Sequence, residues 1–229
     1  MVSPVDDLAV WADPSAYSCR VRQMSVDLLD RFAVRELVEN WFVYRDNRDW
    51  EKFLTVWHDD GVMMTTWGGR TSAQGFAEAA QRGYDRGDRM LHECGPTAVE
   101  LSGDRAIAQT KLRIMQRGSV EGVVCDVDCI GRVYDFVERR EDRWGIVVRQ
   151  PIYERDFIRP VDPSASIALE PDRLAALPDG YARLGYLQAS LGYAIKPDMP
   201  TSCGPQLEAL LTAGAAWLAG GDLGWPPPP

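Results

Sequence analysis

Past Gly87 the apolar residues of this chain stop recurring at helical spacing and begin to alternate, and the alternation runs on to Ile158. A helix buries side chains on a period near 3.6 and a strand on a period of two, so this switch marks a change of element type. Ala98–Leu101 and Arg105–Gln116 flank Ser102-Gly103-Asp104, a hairpin signal. Val120–Glu138 reads as one long strand, reversed at Arg140-Glu141-Asp142 before another over Trp144–Ile158. Long strands in sequence, with helices ahead of them, give an α+β layer arrangement: a strongly curved sheet whose concave face packs on the helices and leaves a pocket inside.

Upstream of the switch the period is helical. Ser25 is a candidate N-cap, and Leu28, Leu29, Phe32, Val34, Leu37, Val38, Trp41 and Phe42 form a broad apolar face. That helix is expected to fade at Asp46-Asn47-Arg48, with Asp49 capping a short helix over residues 50–57. His58–Gly61 reads as a turn and Val62–Thr66 as a short strand, after which Ser72 caps a third helix through about Tyr84. Residues 1–24 show no period and read as an arm. The barrel domain is expected over 25–159. Residues 160–229 form a proline-punctuated helical extension with helices near 180–194 and 206–219 and a polyproline tail. The extension is read as a lid or a subunit-clasping arm.

Composition removes several classes of function. The chain of 229 residues carries 25 basic against 34 acidic side chains, a net charge of −9. Nucleic-acid binding, which depends on basic stripes, is therefore not expected, and neither is adsorption to anionic membranes. No apolar run is long enough to cross a bilayer and the N-terminus lacks the features of a signal peptide, so a cytoplasmic location is expected. Cys125 and Cys129, four apart on one strand, are too distant for a disulfide, and the five cysteines read as free thiols. Neither paired histidines nor a CxxC is present, so no metal is expected; no GxGxxG or Walker motif is present, so no nucleotide cofactor is expected either.

Histidine is scarce: His58 and His92 are the whole supply. His58 closes a short helix beside Asp59 and Asp60 and is expected to answer the helix dipole or those acids. His92 stands in Arg89-Met-Leu-His-Glu-Cys-Gly-Pro96, placed by this reading just ahead of the first long strand. Asp46 ends an apolar helical face, and Arg149 lies among apolar strand residues, where an arginine usually pairs with a carboxylate or faces solvent.

Residues 25–158, 134 of the 229, resemble the SnoaL-like branch of the nuclear transport factor 2-like superfamily. The run from Asp46 through Trp50 and Trp57 to Asp59-Asp60 is similar to the matching stretch of hexachlorocyclohexane dehydrochlorinase and, more loosely, of scytalone dehydratase. The resemblance implies a cone-shaped α+β barrel with an Asp46–His92 dyad in its cavity and Arg149 as an assisting cation. The chain also departs from those relatives. Trp41 or Phe42 replaces a lysine one turn before the aspartate, Met63 replaces a cavity tryptophan, a second central histidine is missing, and the extension has no counterpart.

Histidine titrates near neutrality, and an aspartate bonded to it fixes its tautomer and stabilises the imidazolium formed when it takes a proton. Base, orienting acid and cation suit elimination or enolisation. The expectation is a cofactor-independent lyase of dehydratase type, acting on a small, largely apolar or polyketide-like molecule of secondary metabolism. Phe42, Met63, Met90, Ile114 and Tyr153 are the candidate apolar wall. An isomerase or cyclase using the same dyad, and a non-catalytic small-molecule-binding module, stay open as alternatives. A homo-oligomer, dimer or trimer, is expected because the outer face of a curved sheet needs covering.

Overall fold

The computed structural model describes the backbone of residues 14–226 and side chains from Met24 onward. Helix α1 (Pro14–Asp46) and helix α2 (Trp50–Thr55) precede strand β1 (Trp57–Thr65). Strand β2 (Gly69–Ser72) and helix α3 (Ala73–Asp85) follow. Then come the long strands β3 (Arg89–Ser102), β4 (Arg105–Val120), β5 (Val123–Arg140) and β6 (Arg143–Pro160). The extension supplies helices α4 (Pro171–Ala175), α5 (Ala182–Ser190) and α6 (Pro205–Leu218). The six strands form one sheet in the order β2-β1-β6-β5-β4-β3, antiparallel except where β1 meets β6. It is the curved α+β sheet that the alternation demands.

Two of the expected caps form as the sequence predicts. The Asp49 carboxylate accepts the N–H of Lys52 and the Ser72 hydroxyl accepts that of Gly75. Other boundaries differ. The first helix is not capped at Ser25 but runs through it from Pro14, so the arm expected over 1–24 ends inside a helix; residues 1–13 lie outside the described residues. Of its apolar face, Val34, Val38, Trp41 and Phe42 are buried, whereas Leu28, Leu29 and Phe32 are more than 60% exposed. Periodicity identifies the helix; it does not say how far along the helix a partner surface extends.

His58 lies in β1, not in a turn, and β3 begins at Arg89, well before Ala98, with a bulge between Cys94 and Thr97. Pro96, which has no N–H to donate, sits at that bulge on an edge strand. The expected strand Val120–Glu138 is broken by a turn at Glu121-Gly122, both in the left-handed region. Cys94, Cys125, Cys129 and Cys203 are free thiols; the side chain of Cys19 and the last three prolines lie outside the described residues.

The concave face is filled by α1, by Phe53 of α2 and by Phe76, Ala77 and Ala80 of α3. Trp41 is the hub, with its ring 5.7 Å from that of Phe53 and 5.9 Å from that of Phe76. The extension then covers the barrel twice. Leu184 and Leu187 of α5 join the inner core, and the helix is anchored by Asp156 of β6, whose carboxylate accepts the N–H groups of Arg183 and Leu184 at 2.6 and 2.7 Å. Those are orphan donors of a helix N-terminus, so one buried acid fixes where α5 begins. On the convex face, Leu207, Leu210 and Trp217 of α6 pack on Ile107, Phe136, Val148 and Ile152. Gly214 permits that approach, since any Cβ there would run into the Tyr134 hydroxyl. The outer-face cover expected from a second subunit is thus supplied, over this patch, by the chain's own extension.

Candidate active site

Asp46 is the last residue of α1, and the turn after it brings the carboxylate against β3. There it accepts the backbone N–H of His92 through Oδ2 at 2.6 Å and the ring Nδ1–H through Oδ1 at 2.8 Å. Oδ1 also accepts from Arg45 at 3.0 Å. His92 is within β3, paired opposite Ile114, and not ahead of the strand as the sequence reading placed it. Because Nδ1 carries the proton that Asp46 accepts, Nε2 holds the free lone pair. Burial, the largest effect, and then the charge of Arg45 pull the His92 pKa down to about 4 against the partial support of Asp46. Burial raises Asp46, but the hydrogen bond and charge of His92 and the charge of Arg45 outweigh it and hold the carboxyl below its ordinary value. The dyad is a neutral imidazole on an ionised carboxylate.

His92 lines a small interior cavity in which about 30 Å³ is open to the centre of a water molecule. Phe42, Met63, Met90, Ile114 and Tyr153 all line it too, together with Trp41, Trp67 and Phe76. A second space of about 20 Å³ shares Arg45, Met90 and Gln188 with it, and shares Tyr84, Asp88 and Gln116 with an open groove of about 730 Å³ whose wall includes Asp46. The three spaces share lining residues in succession from the open groove to the cavity of His92. Arg45 lines both inner spaces and is bonded to the Tyr84 hydroxyl at 2.5 Å and to Met90.

Arg149 is fully buried and forms a two-pronged pair with Asp135, at 2.7 and 2.8 Å, while donating to the Val38 carbonyl. It is not among the residues lining the cavity. It packs on the rings of Trp41 and Phe42, 4.5 and 5.1 Å away, which do line it, and its Nη1 has no hydrogen-bond partner among the described residues.

His58 is held elsewhere. Its Nε2–H donates to the Glu138 carbonyl at 2.9 Å and its Nδ1 accepts from Arg143, so neither Asp59 nor Asp60 is its hydrogen-bond partner, although, after the Arg140 hydrogen bond, its charge helps lower the Asp60 carboxyl. Gly145 makes room for the ring, as a Cβ there would stand 2.8 Å from it.

Two site residues escape the sequence reading. Arg45 supplies a cation beside the aspartate where only an apolar replacement for the relatives' lysine was recognised; an arginine in a helix's last turn reads as a dipole partner. Gln188, from the extension, lines the cavity and bridges Thr66 Oγ1 at 2.7 Å and Gln116 at 3.2 Å. Its proline-punctuated surroundings carry no sequence signal of a site. No group of three or more His, Cys, Asp or Glu side chains among the described residues is arranged to hold a metal ion.

A family model described as the SnoaL-like domain matches residues 26–150, more than half of the chain. The chain belongs to the SnoaL-like domain family. Its similarity to curated proteins reaches beyond that domain. A PEP2-like protein of Fusarium vanettenii is 36% identical over 84% of both chains, and pea pathogenicity protein 2 of the same fungus is 35% identical over 75% of both. Solved structures share the fold at lower identity. Hexachlorocyclohexane dehydrochlorinase LinA-type3 of Novosphingobium barchaimii superposes with a TM-score of 0.51 at 17% identity, covering 62% of this chain and 97% of that one. A candidate scytalone dehydratase of Novosphingobium aromaticivorans gives 0.50 at 14% identity, covering 63% and 99%. These neighbours share the cone-shaped, curved α+β fold of this SnoaL-like chain. Among the described residues no helix is long and apolar enough to cross a membrane.

Proposed function

We propose that this SnoaL-like protein is a cofactor-independent lyase of dehydratase type in which His92 is the base, Asp46 orients it, and Arg45 and Arg149 stabilise negative charge. The observation that carries the reading is the Asp46–His92 pair set into the wall of an aromatic cavity, with Nε2 left as the free base. Dehydratase and dehydrochlorinase names among the structural neighbours agree with it.

In the reaction, Nε2 takes the proton α to a carbonyl, and the electrons of that C–H bond form the new C=C bond as the C–O bond at the β carbon breaks. The departing hydroxide takes the proton from the imidazolium and leaves as water, which resets the dyad. A base with a pKa near 4 is weak, so the substrate's α proton must be acidified. Arg45, which lines the cavity, is the group placed to polarise the oxygen, and Arg149 acts from behind Trp41 and Phe42 through its field. The apolar wall of Phe42, Met63, Met90, Ile114 and Tyr153 selects a small ring compound. The cavity holds only about two waters as it stands, so Met90 and its neighbours move to admit the ring.

The test is dehydration of the β-hydroxy derivative of tetralone, which yields a naphthol with a distinct near-ultraviolet absorbance. Wild type is expected to form naphthol and His92→Asn to lose at least about 100-fold in rate. Equal rates for the two proteins would remove His92 from the mechanism. An isomerase or cyclase shares the proton abstraction, and unchanged product mass with exchange of the α proton into deuterated water would identify that alternative.

A further inference from the structure

The open groove beside the dyad carries charge that the lyase reading does not use. It runs along β3, β4 and β5 and reaches Asp46, and most of its charged groups are already matched. Arg117 holds Asp126 with two bonds at 2.7 and 2.9 Å. Asp128 pairs with Arg113 at 2.8 Å and with Arg159 at 3.4 Å. Asp88 takes the Tyr193 hydroxyl and lies 3.6 Å from Arg86. Asp46 is committed to His92 and Arg45. Arg48 and Arg89 remain, both exposed and both in the groove wall, and neither has a carboxylate within ion-pair distance among the described residues.

Each of the two is placed at a cost. Arg48 sits just past the end of α1 with φ +58, in the left-handed region that a glycine or asparagine adopts far more readily. An asparagine, Asn47, is its neighbour, yet the strained position falls on the arginine, whose guanidinium lies 5.2 Å from the Tyr84 ring centroid. The conformation closes the end of α1, with the N–H of Asp49 bonded to the Tyr44 carbonyl at 2.9 Å, and it leaves the Arg48 side chain in the groove wall. Arg89 is the cross-strand partner of Arg117, and like charges placed opposite each other destabilise a sheet. Asp126 neutralises Arg117, but nothing described neutralises Arg89. The net charge of −9 does not remove the attraction for anions, because at physiological salt it is screened beyond about 8 Å, whereas a guanidinium acts at contact.

We propose that Arg48 and Arg89 form an oxyanion-binding station in this groove, and that the substrate carries a carboxylate or phosphate group held there while its apolar end reaches toward His92. The station stands on the groove alone; the orientation of the apolar end rests on the lyase reading above. Guanidinium groups pair with either anion through parallel N–H donors, so the shared chemistry is a forked oxyanion.

The test is binding rather than turnover, so its outcome is separate from that of the dehydration assay. Benzoate, phenyl phosphate and benzyl alcohol are titrated into the full-length protein at low ionic strength and followed by ligand-observed NMR. At least one anion is expected to bind about tenfold or more tighter than the alcohol, with the preference falling as salt is added. Preference for benzoate alone assigns a carboxylate, and preference for phenyl phosphate alone assigns a phosphate.

Arg48→Gly should lose most of the preference while melting about 2–4 °C higher, since glycine relieves the left-handed backbone. A merely destabilised protein would not show that combination. Arg89→Gln, which keeps the side-chain length and removes the charge, should reduce the preference in the same direction. Equal binding of anions and alcohol, no binding of either anion, or an anion preference intact in both variants would overturn the proposal.

Discussion

Asp46 grips His92 at two points, taking the backbone N–H on one carboxylate oxygen and the ring Nδ1–H on the other, at 2.6 and 2.8 Å. The double attachment fixes both the position of β3 relative to the end of α1 and the tautomer of the ring. Helix end, strand register and proton location are therefore one feature, and changes to Asp46 reach the chemistry through geometry as well as charge.

Asp46→Asn tests this directly. Its amide retains the shape, but only its oxygen can accept, so one of the two bonds to His92 is lost and the ring is free to turn. Dehydration is expected to fall by about 100- to 10,000-fold, with the melting temperature changing little beside that loss. Parallel rate and melting measurements check it; a rate within threefold of wild type would show that the tautomer is set without Asp46.

Acid should destabilise the fold through His92 before it reaches the carboxylates. The folded pKa, about 4, lies below the unfolded value of 6.5, so the unfolded chain binds the proton first. Stability from this group is complete above pH 6.5 and is lost as the pH falls toward 4, by roughly 1–3 kcal/mol. The lowered Asp46 adds a loss only at more acid pH, below its ordinary 3.8. Denaturant midpoints between pH 7 and 4.5 should therefore fall for wild type and fall less for His92→Asn. The acid limb of kcat/KM should likewise stay flat until near pH 4.

Removing the neighbouring cation should raise the base. Arg45 disfavours the imidazolium by charge, and its loss leaves Asp46 as the nearest counter-charge. In Arg45→Gln the His92 ring resonances should titrate above pH 4, and an unchanged midpoint would show that the Arg45 charge does not hold the value down.

The alternating period and the Asp49 and Ser72 caps were legible in the residues, because each rests on local chemistry that survives in one sequence; the meeting of Asp46 with His92, 46 residues apart, was implied only by the family resemblance. The turn at Glu121-Gly122 was not, since valines on both sides continue the strand pattern and a glutamate gives no warning of positive φ. Nor was the ending of the packed surface on α1, where Leu28 and Phe32 repeat the spacing of Val34 and Val38 but meet no partner among the described core residues. Arg149 read as either a carboxylate partner or a solvent-facing side chain, and only the sheet register, which sets it opposite Asp135, supplies the acid it faces. Gln188 enters the cavity from far along the chain and has no local signature.

The Arg149–Asp135 pair separates a structural role from a field effect. Both side chains are completely buried, so Arg149→Met leaves an isolated carboxylate and is expected to cost about 3–5 kcal/mol. Adding Asp135→Leu to Arg149→Met should restore much of that stability, since an apolar pair removes the orphaned charge. Activity should not return with it. Urea unfolding of both variants, alongside dehydration rates, checks this; a double variant as active as wild type would confine Arg149 to packing.

The extension is expected to be needed for the fold itself. Removing everything after Val161 strips Leu184 and Gln188 from the cavity wall and Leu210 and Trp217 from the convex face, so two apolar surfaces open at once. Such a protein should bind a hydrophobic dye and aggregate instead of persisting as a barrel with a changed subunit count. Point variants grade the effect without that collapse: Leu184→Ala and Leu210→Ala, each fully buried, should each cost about 2–5 kcal/mol. The two lie on opposite faces of the sheet, so their costs should add. Of the two, Leu184→Ala should also alter turnover, because Leu184 lines the cavity and Leu210 does not. A truncated protein that stays soluble, folded and active would show that the barrel covers its own faces without α5 and α6.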